Sequence, residues 1–200
     1  MKYFISALIL AAILLTMNHT KPHTDTLPLT PYDTILAVGD SLTHGYGAAP
    51  EQSYPSLLAT MSGVNVINEG IDGETSEEGR KRLPQLLQRY HPKLTILCYG
   101  GNDILQKRSM SRLKENLKKM ITLCRAHSSD VLLIAVPNMT LFGLEPLTLY
   151  EEVAEETNTP LVEGLLSEIL SSPSLKSDQI HPNAKGYRVM AERIAQEIGY

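Results

Sequence analysis

The chain has 200 residues, 42% hydrophobic and 20% charged, which is the make-up of a soluble globular protein and excludes a disordered or fibrous one. At this length one core is expected, burying about two-thirds of the surface that the unfolded chain exposes. The net charge of -4, with Lys and Arg dispersed along the chain, removes the electrostatic basis for nucleic-acid binding and points to a small neutral or apolar partner.

The chain opens with Lys2 and an apolar run from Tyr3 to Met17 interrupted only by Ser6 and Thr16. That pattern predicts a secretory leader, since it is shorter than the ~20 residues a membrane-crossing helix needs. Cleavage is expected between Thr16 and Asp25, and export to the periplasm or beyond follows. The alternative is an uncleaved N-terminal anchor, through which the protein would associate with a membrane. A leader and the start of a tether thus occupy 1–25, the Thr- and Pro-rich tether continues over 26–33, and one domain spans 34–200. The tether has no Cys, so a lipid-modified N-terminus is not expected.

From residue 34, short apolar β-rich runs alternate with longer segments of helical period, the pattern of a parallel sheet covered on both faces. The runs are Thr34–Val38, Val64–Asn68, Leu94–Tyr99, Val131–Val136 and Pro160–Val162. Pro84 is expected to interrupt the helix after the second run, or to begin its second half. Ser109–His127 is the clearest helix, with Met110, Leu113, Leu117, Met120, Ile121 and Cys124 at spacings of three and four. Ser111 and Lys114 match an S-x-x-K pattern, but Ser111 reads better as the cap of that helix. A last helix starts near Asn183, which can cap it, and carries Tyr187, Met190, Ala191, Ile194 and Ile198 on one face. The two cysteines, Cys98 and Cys124, fall in a buried strand and on an apolar helix face. They read as free thiols, although export would permit a disulfide.

Ligands of an open α/β sheet bind beyond the carboxyl ends of its strands. Four segments occupy such places: Gly39-Asp40-Ser41-Leu42, Glu69 to Gly73, Gly100-Gly101-Asn102-Asp103, and Ser177 to Pro182. A serine hydroxyl needs a base, and the base needs a group that sets its tautomer and steadies its charge. Asp178 and His181 stand three residues apart, so a turn can bring the carboxylate to Nδ1 and leave Nε2 facing Ser41. Three donors are available for an oxyanion: the Ser41 N–H, the Gly73 N–H and the Asn102 side-chain amide. His44 lies near Ser41 as a rival base, but no acidic residue stands at a comparable spacing to orient it. The Gly-x-Ser-x-Gly elbow, His-Glu-x-x-His, paired Cys-x-x-Cys and phosphate-loop patterns are absent.

In order and wording these four blocks resemble the GDSL-type, or SGNH, hydrolase family, and the resemblance extends from Thr34 to Ile198. Asn68-x-Gly70-x-x-Gly73-x-Thr75-Ser76 and Gly-Gly-Asn-Asp are most similar to its bacterial thioesterase, arylesterase and lysophospholipase branch. The segment from Pro137 to Leu144 departs from that branch. The resemblance implies Ser41 as nucleophile, Asp178 and His181 as the rest of a triad, and Ser41, Gly73 and Asn102 as the oxyanion hole. It also implies a single-domain, three-layer α/β/α fold with a flavodoxin-like five-stranded parallel sheet in the order 2-1-3-4-5, and no metal or cofactor.

Met139, Leu141, Phe142, Leu144, Leu147 and Leu149 put more apolar surface between 139 and 149 than a solvent loop should carry. They pack as core beneath a short helix, or Met139, Leu141, Phe142 and Leu144 form one wall of an acyl-chain groove. The expected activity is hydrolysis of acyl esters or thioesters on lipid-derived, lysophospholipid-like or aryl substrates, by a monomer. A carbohydrate O-acetylesterase on the same scaffold and a non-catalytic binding module are the alternatives.

Overall fold

The computed structural model describes residues 28–140, 143–145 and 147–200. The leader over 1–25 therefore lies outside the described residues, as do Leu141 and Phe142. The strands are β1 (Thr34–Gly39), β2 (Asn65–Gly70), β3 (Leu94–Cys98), β4 (Asp130–Ile134), β5 (Asn138–Thr140), β6 (Gly143–Glu145) and β7 (Leu161–Val162). β2, β1, β3, β4 and β7 form, in that order, a five-stranded parallel sheet, while β5 and β6 pair as an antiparallel hairpin. Counting only the parallel strands, this is the expected order.

Burial explains the arrangement. β3 is buried along its whole length, and β1 and β4 are buried at every position but the first, as strands covered on both faces should be. β2 has no fully buried residue, with Val66 and Ile67 partly buried and Asn65 and Asn68 exposed, and it takes the edge. Helices α1 (Ser41–His44), α2 (Tyr54–Ser62), α3 (Ser76–Tyr90), α4 (Gly101–Leu105), α5 (Met110–Ala126), α6 (Leu149–Thr157), α7 (Leu165–Ser171) and α8 (Ala184–Glu197) complete the layers. α3, α5 and α6 pack side by side as one layer, and α2, α8 and α7 as the other.

Helix α5 buries Leu113, Leu117, Met120, Ile121 and Cys124, the face its periodicity marks. Its cap is Ser109, whose hydroxyl accepts from the Arg112 N–H, and not Ser111, which sits inside the first turn with its Oγ 2.8 Å from that of Ser109. Lys114, the other half of the S-x-x-K pattern, is bound by Glu152 and Glu156 of α6. Asn183 caps α8 by accepting from the N–H groups of Lys185 and Gly186.

Pro84 does not divide its helix: α3 runs unbroken from Ser76 to Tyr90. A reciprocal capping box between Thr75 and Glu78 fixes the start, and buried Leu83 and Leu87 on either side of the proline pin the helix to the core. That burial outweighs the one backbone hydrogen bond a proline removes. Cys98 and Cys124 are both buried and free.

Candidate active site

The buried β1 delivers the chain to Asp40, whose carboxylate caps α1 by accepting from the Leu42 N–H at 3.0 Å and so turns Ser41 out at the carboxyl end of the sheet. There the Ser41 Oγ lies 3.0 Å from His181 Nε2, across 140 residues of sequence. His181 Nδ1 donates to Asp178 at 2.8 Å (Oδ2) and 3.0 Å (Oδ1), which sets the tautomer that leaves Nε2 as the acceptor.

The base loop is held largely by its own residues. Asp178 Oδ1 accepts from the N–H groups of Ile180 at 2.8 Å and His181 at 2.9 Å, an Asx turn that aims the carboxylate at the ring three residues on. The Ser177 N–H closes the turn on the His181 carbonyl at 2.9 Å. Burial raises the Asp178 carboxyl, but the hydrogen bonds from Ile180 and His181 and the nearby imidazole outweigh it and leave the group below its ordinary value. Tyr46 packs its ring 4.5 Å from that of His181.

Ser41, Gly73 and Asn102, the expected oxyanion donors, border the same cavity. Among the described residues, the N–H groups of Ser41 and Gly73 donate to no protein acceptor. Gly73 adopts φ +79°, a conformation a side chain would strain, and it lines the cavity beside Ser41. Asn102, in the first turn of α4, donates its side-chain amide to the Glu74 carbonyl at 3.1 Å and to Asp40 Oδ2 at 3.3 Å.

Behind these donors is a buried polar frame that the sequence reading missed. Glu74, 7% exposed, is gripped at both carboxylate oxygens by Arg82, at 2.6 and 2.7 Å, and receives the Tyr99 hydroxyl at 2.5 Å. Arg82 reaches on to the carbonyl of Glu69, and Asp103 accepts from both the N–H and the hydroxyl of Ser76. Asp40 is fully enclosed. Burial first, and Asp103 to a lesser degree, push its carboxyl up to about 7 against the opposing hydrogen bonds from Leu42 and Asn102.

Ser41, Gly73, Asn102 and His181 line one cavity of about 230 Å³. Its remaining wall is mostly apolar, with Ile104 and Leu105 of α4, Val136 and Pro137 after β4, Leu144 of β6, Leu170 of α7, and Ile180. Of the expected groove residues, Leu144 lines this cavity; Leu141, Phe142 and the Met139 side chain lie outside the described residues. Among the described residues from Met139 to Leu149 no helix precedes Leu149: β5 and β6 occupy the first part, Leu147 packs partly buried against the core, and Leu149 opens α6. Leu144 thus borders the cavity, while Leu147 and Leu149 pack with the core. His44 requires a correction, because a carboxylate does orient it: Asp72 Oδ1 lies 2.7 Å from its Nδ1. Sequence distance hid this contact, since the partners are 28 residues apart.

Residues 37–189 match the GDSL-like lipase/acylhydrolase family. The chain belongs to that family. It is 29% identical over 173 residues to thioesterase 1/protease 1/lysophospholipase L1 of Escherichia coli strain K12, covering 83% of each chain. To an arylesterase of Vibrio mimicus it is 31% identical over 176 residues, covering 83% of this chain and 88% of the other. The crystal structure of TesA superposes with a TM-score of 0.76 at 30% identity, covering 83% of this chain and 98% of that one. This GDSL-family chain is a carboxylic ester hydrolase.

Proposed function

We propose that this hydrolase works through an acyl-enzyme on Ser41. His181 takes the Ser41 proton as the hydroxyl attacks the ester or thioester carbonyl, and returns it to the leaving alkoxide or thiolate. Asp178 holds the imidazole and offsets its positive charge. The N–H groups of Ser41 and Gly73 and the Asn102 amide receive the oxyanion, and water activated by the same histidine then clears the acyl group. The observation that carries this reading is the hydrogen-bonded line from Ser41 Oγ to His181 Nε2 and from Nδ1 to Asp178.

The substrate reading rests on the cavity beside Ser41. Ile104, Leu105, Val136, Leu144, Leu170 and Ile180 offer an acyl chain apolar surface, whereas an acetylated sugar would call for hydrogen-bonding walls. We therefore assign lipid-derived or aryl esters and thioesters as substrates, acted on by an exported monomer. Lys2 and the apolar run behind it support the export reading.

Hydrolysis of p-nitrophenyl esters from acetate to palmitate, by wild type beside Ser41→Ala, tests both parts. The expected result is preference for chains longer than acetate and a loss of about 10³-fold or more in Ser41→Ala. Cleavage of acetate alone would transfer the assignment to carbohydrate deacetylation, and equal inertness of both proteins would end the catalytic reading.

A further inference from the structure

A second histidine and carboxylate meet at the edge of the site. His44 is the last residue of α1, the helix that Ser41 begins, and Asp72 immediately precedes Gly73. The two side chains bond at 2.7 Å although they are 56% and 46% exposed. This is not a second catalytic base, because the Ser41 hydroxyl meets His181.

What the contact spans gives it a role. The end of β2 is packed tightly on α1: a Cβ on Gly70 would fall 2.0 Å from the His44 backbone nitrogen. Beyond that point the Ile71 N–H bonds to the Gly39 carbonyl at 3.0 Å, and the turn closes with the Glu74 N–H on the Ile71 carbonyl at 3.2 Å. Between these anchors lie only Asp72 and Gly73, both exposed at the tip of the turn. The Gly73 N–H belongs to the rigid peptide plane joining it to Asp72, so holding Asp72 restricts the swing of that N–H. The contact to His44 ties it to the helix that presents Ser41.

We propose that His44 and Asp72 are a pair of positioning residues, a strap that holds the Gly73 N–H in register with the Ser41 oxygen. The proposal rests on the assignment of Gly73 as an oxyanion donor. Such a donor acts mainly on charge that develops in the transition state, so loosening it lowers kcat and leaves KM nearly unchanged.

The test uses the full chain with p-nitrophenyl butyrate, and with a p-nitrophenyl alkylphosphonate whose phosphoryl oxygen takes the oxyanion's place. His44→Ala and Asp72→Ala are each expected to lose about three- to tenfold in kcat and in phosphonate inactivation rate, the scale of one partly exposed hydrogen bond. KM and the urea midpoint stay at wild-type values. The double variant loses no more than either single one, as a shared contact requires. Asp72→Asn, whose oxygen still accepts from Nδ1–H, stays within about twofold of wild type. Unchanged kcat and inactivation rate in both alanine variants would overturn the strap, as would additive losses in the double variant, or a lowered urea midpoint with kcat intact. Ser41→Ala separates the two levels. If it retains turnover, the reading of the site fails; if it is inactive while His44→Ala and Asp72→Ala keep wild-type kcat, the strap alone fails.

Discussion

The two sides of the cavity are built by different means. On the base side, Asp178, Ile180, His181 and Ser177 hold one another within five consecutive residues, and Asp178 remains 45% exposed. On the oxyanion side, Asn102 takes its orientation from Glu74 and Asp40, and Glu74 from Arg82 and Tyr99, mostly through contacts between distant segments and away from water. A turn can aim a histidine that has only to pivot toward a serine. An oxyanion hole must hold its donors against a charge that appears only in the transition state, and a buried, fully bonded frame supplies that rigidity. The base side should therefore be catalytically costly and structurally cheap to alter, and the oxyanion side costly in both.

Substitution at the base side gives the largest expected effect. His181→Asn should reduce kcat on a p-nitrophenyl ester by about 10³-fold or more while leaving the thermal midpoint within about 2 °C of wild type. A large loss of stability would mean that the loop is a structural part of the core and would remove the contrast. Arg82→Ala strikes the opposite side. It strands the carboxylate of Glu74 in a buried site and should cost about 3–5 kcal/mol in urea unfolding, although Arg82 touches no substrate. A cost under about 1 kcal/mol would show that the frame is not what holds Asn102.

Asn102→Ala tests the donor at the end of that frame, with an expected loss of about 10²- to 10³-fold in kcat and little change in KM. A change confined to KM would make Asn102 a substrate-binding group. The smallest expected effect concerns Asp40. Its folded-state carboxyl lies at about 7, above the value near 3.8 expected when unfolded, so the stability tied to its protonated form is complete below about pH 4 and lost as pH rises through about 7. Relative to Asp40→Asn, wild type should lose about 2 kcal/mol of unfolding free energy between pH 5 and pH 7. Parallel pH profiles for the two proteins would mean that the enclosed carboxylate carries no such burden.

Much of this was legible one segment at a time. The runs that became β1, β3 and β4 are buried on both faces and leave little choice of structure, and the cap at Asn183 follows from a side chain that bonds its own backbone. The Asp178 to His181 spacing was readable for the same reason, since the turn that joins them is local. Pro84 was misread because its cost is local whereas the burial of Leu83 and Leu87 that offsets it is tertiary.

By itself, then, the sequence determined the parallel sheet and the placing of four blocks at its carboxyl edge, because these depend on a period or a turn spanning a few residues; the roles proposed for Ser41, His181 and Asp178 came from the resemblance those blocks carry together. Tertiary structure decided the rest. It set the partner of His44, the frame of Glu74, Arg82 and Tyr99 behind Asn102, and the recruitment of Ile104, Leu144, Leu170 and Ile180 to one cavity. Those groups come from separate elements, and hydrophobic packing, which is non-directional, brings them together only when the whole chain has folded.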